Sequence, residues 1–272
     1  MKSAILIFSL VLLNVFCFSK DVDKFIDKVN QLLEKEDYKS AEKLLTDTLL
    51  KDSLNGELYM HLGIVQYRGE NFKMSLASFN KAVELLPNFP RLLINRGVLK
   101  REMKDFGGAL ADFNRAIYIK PLYWSALYER AMLYKETEDY EAALADLNKL
   151  VQMDPTKFSP KWQVAVIKKK QGKLWESLAD YSALCIEFPN KSVAWNNLAD
   201  TEMLLKDYKC ALEHIEKSIS VNPEYAGAYL TRGEIRLKMK NSKQACQDFY
   251  KAKELGEGET KEKAEEYLVK CK

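Results

Sequence analysis

Histidine is nearly absent from this chain: His61 and His214 are the only two in 272 residues. They stand too far apart to make a local metal pair or a shared acid–base site. Also missing are a glycine-rich phosphate loop, an H-E-x-x-H helix and a G-x-S-x-G elbow, so no catalytic or nucleotide motif is present. No metal, cofactor or small-molecule substrate is implied. A surplus of charge is lacking too. The 42 basic and 39 acidic residues leave a formal charge of +3, without the basic field that a phosphate backbone requires. Nucleic acid is therefore not an expected partner. The four tryptophans, Trp124, Trp162, Trp175 and Trp195, then read as packing rather than as a base-stacking platform. No long linker or low-complexity segment interrupts the chain.

Long apolar runs are absent except at the N-terminus. There Lys2 precedes Ala4 to Leu13, followed by Asn14 to Ser19 with small residues at Cys17 and Ser19. A basic start, a short apolar centre and small residues make an export signal spanning 1–19, with cleavage expected after Ser19. The mature chain would begin at Lys20 and be periplasmic or secreted. An N-terminal membrane or lipid anchor is the alternative, although Phe16 is bulky for lipidation at Cys17. In an oxidising compartment Cys185, Cys210, Cys246 and Cys271 could pair. Their spacings fit no C-x-x-C pattern and each has a different place in the repeat described below. Free, packed thiols are expected, with one C-terminal disulfide as the alternative.

What the chain has in abundance is self-similarity. A template of 34 residues, best seen in 90–123, returns without a gap. Its small residue falls at Ala41, Ser75, Ala109, Ala143, Ser177, Ala211 and Ala245. Seven units result: 22–55, 56–89, 90–123, 124–157, 158–191, 192–225 and 226–259. Each reads as two amphipathic helices. A second small column (Val29, Gly63, Gly97, Ala131, Ala165, Ala199, Gly233) opposes a large one (Leu45, Phe79, Phe113, Leu147, Tyr181, Ile215, Phe249), the pairing that fills a core without voids. Asp37, Asn71, Asp105, Asp139, Asp207 and Asn241 are expected to cap the second helices, with Lys173 breaking the column. Pro87, Pro121, Pro155, Pro189 and Pro223 close the units. In 260–272, Ala264, Tyr267, Leu268 and Cys271 share a helical face, which predicts a capping helix over the last repeat.

One charge pattern follows the period. Arg96, Arg130 and Arg232 each have an aspartate sixteen residues on, at Asp112, Asp146 and Asp248. Where the arginine is missing the partner position holds Leu44, Ser78 or His214, and Asp180 is the exception. Three ion pairs across helical hairpins are expected, rather than an arginine row for a ligand.

In period and in these small, aromatic and proline columns, 22–259 resembles the tetratricopeptide repeat family. The resemblance implies an all-α, right-handed superhelical solenoid, with a groove lined mainly by first helices that binds proteins or peptides. It also implies that the fifth and ninth positions of a repeat face the groove. Here they are Met60 and Ile64, Ile94 and Val98, Tyr128 and Met132, Trp162 and Val166, flanked by Tyr67, Arg101, Lys135 and Lys169. Further on they become Asn196 and Asp200, then Leu230 and Glu234. The Lys and Asn set by which a chaperone-binding variety clamps a terminal carboxylate is not present. The expectation is a non-enzymatic interaction scaffold at the cell envelope, binding a peptide or protein segment in an apolar groove. Self-association through that strip, or an accessory role holding an envelope enzyme, are the alternatives.

Overall fold

The computed structural model describes residues 24–271, so the expected export signal and Cys17 lie outside the described residues. Within them the chain is helical, with fifteen helices and no strand. They are α1 (24–34), α2 (Tyr38–Leu49), α3 (Gly56–Arg68), α4 (Phe72–Leu85), α5 (Pro90–Glu102), α6 (Phe106–Ile119), α7 (Trp124–Glu136), α8 (Tyr140–Met153), α9 (Phe158–Lys170), α10 (Leu174–Glu187), α11 (Ser192–Leu204), α12 (Tyr208–Val221), α13 (Ala226–Lys238), α14 (Ser242–Leu255) and α15 (Gly258–Val269). The chain divides into two compact units, one reaching Leu133 and the other starting at Tyr134. In the first, α3 pairs with α4 and α5 with α6. In the second, α9 pairs with α10, α11 with α12 and α13 with α14, and α15 packs on α14.

Each hairpin is made by the same turn. After the first helix one residue takes a left-handed conformation: Glu36, Glu70, Lys104, Glu138, Lys206 and Lys240, at φ between 57 and 66°, and Gly172 at φ 76°. The amide beyond it then donates to a carbonyl of the last helical turn, as from Asn71 to Gln66 at 2.8 Å and from Asp105 to Lys100 at 2.8 Å. That closes the helix in a Schellman-type cap. The next side chain starts the second helix: Asp37, Asp105, Asp139, Asp207 and Asn241 accept from the backbone N–H three residues on. Asn71 departs from the expected column and makes no cap bond. Its side-chain amide contacts the Met74 sulfur instead, at 2.9 Å. Asn55, which was not among the expected caps, accepts from Glu57 and Leu58 at the start of α3.

The hairpin interior is where small meets large. A β-carbon added at Gly63, Gly97 or Gly233 would lie 2.7, 2.6 or 2.5 Å from the ring of Phe79, Phe113 or Phe249. These glycines permit the close approach of two helices against an aromatic ring. Where the small position of the second helix is serine, its hydroxyl donates to a first-helix carbonyl: Ser75 to Gly63 at 2.7 Å and Ser177 to Ala165 at 2.9 Å. A buried hydroxyl so satisfied costs little.

Two expectations need correction. Cys246 and Cys271 form a disulfide that ties the end of the chain to α14, while Cys185 and Cys210 are free. The two positions lie at different phases of the repeat because Cys271 follows the extra helix, in the turn just after Val269, and that helix packs on α14. Trp175 does not pack: it is 73% exposed on the outer side of α10. The other three indoles are at least half covered, Trp124 stacking on Tyr128 with centroids 5.1 Å apart.

Candidate partner-binding faces

A second polar column runs through the hairpins beside the arginines. Its members are separated by twelve residues, from the first helix to the second. Lys100 lies 2.8 Å from Asp112, Lys168 2.7 Å from Asp180, and Arg236 2.7 Å from Asp248. In the second repeat the pair is neutral, Ser78 donating to Gln66 Oε1 at 2.7 Å. In the sixth the order of acid and base is reversed, with His214 Nδ1 2.8 Å from Glu202. The unpaired Asp180 of the sequence pattern thus finds its cation on the next turn of the first helix. This column has a sequence signal, a cation one helical turn after the arginine position, that the sixteen-residue pattern hid.

The sixteen-residue pairs lie over the same aspartates. Arg96 donates from Nε to Asp112 at 2.9 Å and from Nη2 at 2.6 Å, and it reaches Asn80 at 3.0 Å. Arg232 donates to Asp248 at 3.0 and 2.7 Å and also meets Glu216. The aspartates are almost fully enclosed, so two cations on each offset the cost of burying a carboxylate. Arg130 stands in the first unit, donating to Asn114 at 2.7 Å, and Asp146 belongs to the second.

The first-helix faces carry the expected groove residues, but not all are presented. Met60 is 3% and Ile94 7% exposed, both packed among core residues. Met60 packs in one core cluster with Leu92 of α5, and Ile94 in one with Ala126 and Leu133 of α7. Ile64 and Val98 in the first unit, and Trp162 and Val166 in the second, are partly open; so are Tyr128 and Met132. The basic residues flanking them do not stand apart as a rim. Each reaches the next repeat, twenty-eight residues on: Arg101 to Glu129 at 2.8 Å, Lys135 to Gln163 at 3.0 Å, and Lys169 to Asn197 at 3.3 Å and Asp200 at 2.7 Å. A rung from the twelfth position of one repeat to the sixth of the next thus joins adjacent first helices. At the corresponding place in the first unit Tyr67 faces Asn95, whose Nδ2 is buried without a hydrogen-bond partner. Trp162 Nε1 and Asn196 Oδ1 are buried and unpaired as well.

Toward the C-terminus the second unit's face turns acidic. Glu234 accepts from the Tyr267 hydroxyl at 3.0 Å, and burial raises its carboxyl above the usual glutamate value. The histidines sit inside hairpins or between them. Burial and the charge of Arg91 lower His61. Burial pushes the Cys185 thiol up to about 12, so it is not a poised nucleophile.

Stacked helical hairpins, with small-against-large interiors and polar rungs between first helices, define a helical-repeat scaffold for protein–protein interaction. Models of the tetratricopeptide repeat match 26–90 in one case and 90–121, 125–157 and 192–225 in another, and the chain belongs to this family. Family members are generally non-enzymatic. A tetratricopeptide repeat protein from Parabacteroides merdae is 27% identical, with a TM-score of 0.74 over 92% of this chain and 98% of that one. YrrB, described as having an unusual peptide-binding site, is 19% identical with a TM-score of 0.53, over 68% of this chain and 95% of its own. PilF of Pseudomonas aeruginosa is 15% identical with a TM-score of 0.62, over 80% of this chain and 98% of its own. The last two likenesses concern the fold alone. No curated protein matches the chain.

Proposed function

We propose that this chain is an exported, non-enzymatic scaffold that takes a peptide or protein segment along the first-helix faces of its repeats. The observation that carries the reading is the set of buried polar atoms left unpaired on those faces, Asn95 Nδ2, Trp162 Nε1 and Asn196 Oδ1. An unpaired buried polar group is costly, and a partner backbone would supply what each lacks. Apolar neighbours, Ile64 and Val98 in one unit and Trp162 and Val166 in the other, offer the accompanying hydrophobic contact. The peptide-binding site of YrrB, on the same fold, is consistent with this use. Export rests on the basic and apolar start of the chain. The Cys246–Cys271 disulfide supports an oxidising compartment.

The test is a crosslinking pull-down from the native envelope, comparing the wild-type chain with a Tyr128→Ala/Trp162→Ala variant of unchanged circular dichroism. A protein captured by the wild type and lost from the variant is expected. Equal capture by both would move the binding surface elsewhere. Capture of nothing but the chain itself would replace the reading with self-association.

A further inference from the structure

Six of the chain's eight arginines are engaged by hydrogen bonds: Arg96, Arg101, Arg115, Arg130, Arg232 and Arg236. Arg68 and Arg91 have no hydrogen bond or ion pair among the described residues. Both line one cavity of about 290 Å³ in the first unit. Arg68 comes from the last residue of α3 and Arg91 from the first turn of α5. Asn95 lines the same cavity, with its Nδ2 buried and unpaired. The lack of a partner has a local cause. In the next three repeats the sixth position, Glu129, Gln163 or Asn197, is held by Arg101, Lys135 or Lys169 of the preceding repeat, whereas the residue before Asn95 in that series is Tyr67 and no bond forms. Ile64, Tyr67, Val98 and the ring of Phe79 complete the wall, and no acidic side chain lines it.

We infer that this cavity is a carboxylate-binding pocket, seating an aspartate or glutamate side chain of a partner peptide with an adjacent apolar residue against Ile64 and Val98. Guanidinium forks match a carboxylate, and the Asn95 amide is a third donor already taken out of water. Arg68 and Arg91 are exposed at the mouth of the pocket, while the buried Asn95 amide lies deeper, where an apolar wall strengthens its bond. The Arg91 charge already acts on the interior, since it helps to hold His61 below its usual value. The volume is at the lower end for ligand sites and suits one or two side chains rather than a whole cofactor. This inference rests on the peptide-binding reading and adds the chemistry of the partner.

The test uses the full-length chain and an array of N-acetylated, C-amidated twelve-residue peptides that mix acidic and apolar positions. Each peptide is paired with a counterpart carrying Asn and Gln for Asp and Glu. The acidic members are expected to bind at least tenfold tighter than their counterparts, to weaken as salt is raised, and to lose that preference in Arg68→Gln/Arg91→Gln. Sodium glutarate, set against sodium chloride at equal ionic strength, should shift the Asn95 side-chain amide signals in NMR if the pocket takes a free carboxylate. A shift with glutarate but no peptide binding would keep the pocket while overturning its peptide source and the parent reading. Peptides that bind regardless of charge, with no glutarate shift, would keep the parent reading and overturn the pocket. Acidic preference surviving in the double variant would place the anion site elsewhere. Absence of both peptide binding and glutarate shift would overturn both.

Discussion

At the scale of single residues, volume is conserved across each hairpin. Glycine stands opposite phenylalanine at Gly63 and Phe79, Gly97 and Phe113, and Gly233 and Phe249, where no β-carbon fits. Alanine or valine occupies the same column where the partner is leucine, isoleucine or tyrosine. Gly97→Ala would gain about 1 kcal/mol of helix propensity. It would also overpack a filled site, which costs about 1 to 3 kcal/mol. Because the ring of Phe113 is enclosed on every side, the second effect should win. The variant should unfold at lower urea, and adding Phe113→Leu should recover part of the loss. A Gly97→Ala chain as stable as wild type would mean that the ring can move aside. The facing columns were legible in the sequence because volume is a property of residue type. The left-handed turn was not. Glu36, Glu70, Lys104, Glu138, Lys206 and Lys240 occupy a conformation usually marked by glycine. Each accepts about 1 to 2 kcal/mol of backbone strain so that the turn can close.

At the scale of the helix pair, polar rows organise the stack. One row couples first and second helices within a hairpin, and a rung joins neighbouring first helices. Glu202, which meets His214 in the first row, is the member whose carboxyl burial shifts upward. Burial raises the Glu202 carboxyl above 4.5, while its bond to His214 pulls the other way. The folded chain therefore keeps a proton on Glu202 at a pH where the unfolded chain has released it. The associated stability is fully present below the ordinary glutamate value and is lost as pH rises through the folded value. Across that window the urea midpoint of wild type should fall more steeply with pH than that of Glu202→Gln. Parallel curves would show that the carboxyl is already ionised in the fold. The charge columns revealed which hairpins carry aspartate, but not how the aspartates are shared. Arg96 and Lys100 both hold Asp112, and Lys168 serves Asp180, because a helix brings residues four apart onto one face.

On the larger scale, the last hairpin of the second unit has an interior face to cover. At the C-terminal end α15 does this, with Tyr267 stacked on Phe249 at 4.5 Å and Ala264 buried. The Cys246–Cys271 disulfide fastens that helix across a sequence separation of 25. A loop of that size corresponds to about 3.5 kcal/mol of stabilisation on the chain-entropy model. Reduction, or Cys271→Ser, should speed amide exchange in α15 and α14 and lower the melting temperature, leaving exchange in α5 and α6 unchanged. Uniform protection after reduction would mean that packing of Tyr267 alone holds the cap.

Period, hairpin boundaries, small-against-large columns and the last helix follow from the sequence by itself. They depend on spacing and residue volume, and both are carried by every repeat in turn. Tertiary structure alone decided which polar groups find one another. The Cys246–Cys271 bond, the rungs from Arg101, Lys135 and Lys169, and the inward packing of Met60 and Ile94 depend on distances between residues remote in the chain. The same holds for what is left over. Arg68, Arg91 and Asn95 look like any other polar residues of the repeat until the structure shows that their neighbours supply no acid. An unmet hydrogen bond is a property of surroundings, which a one-dimensional pattern does not contain.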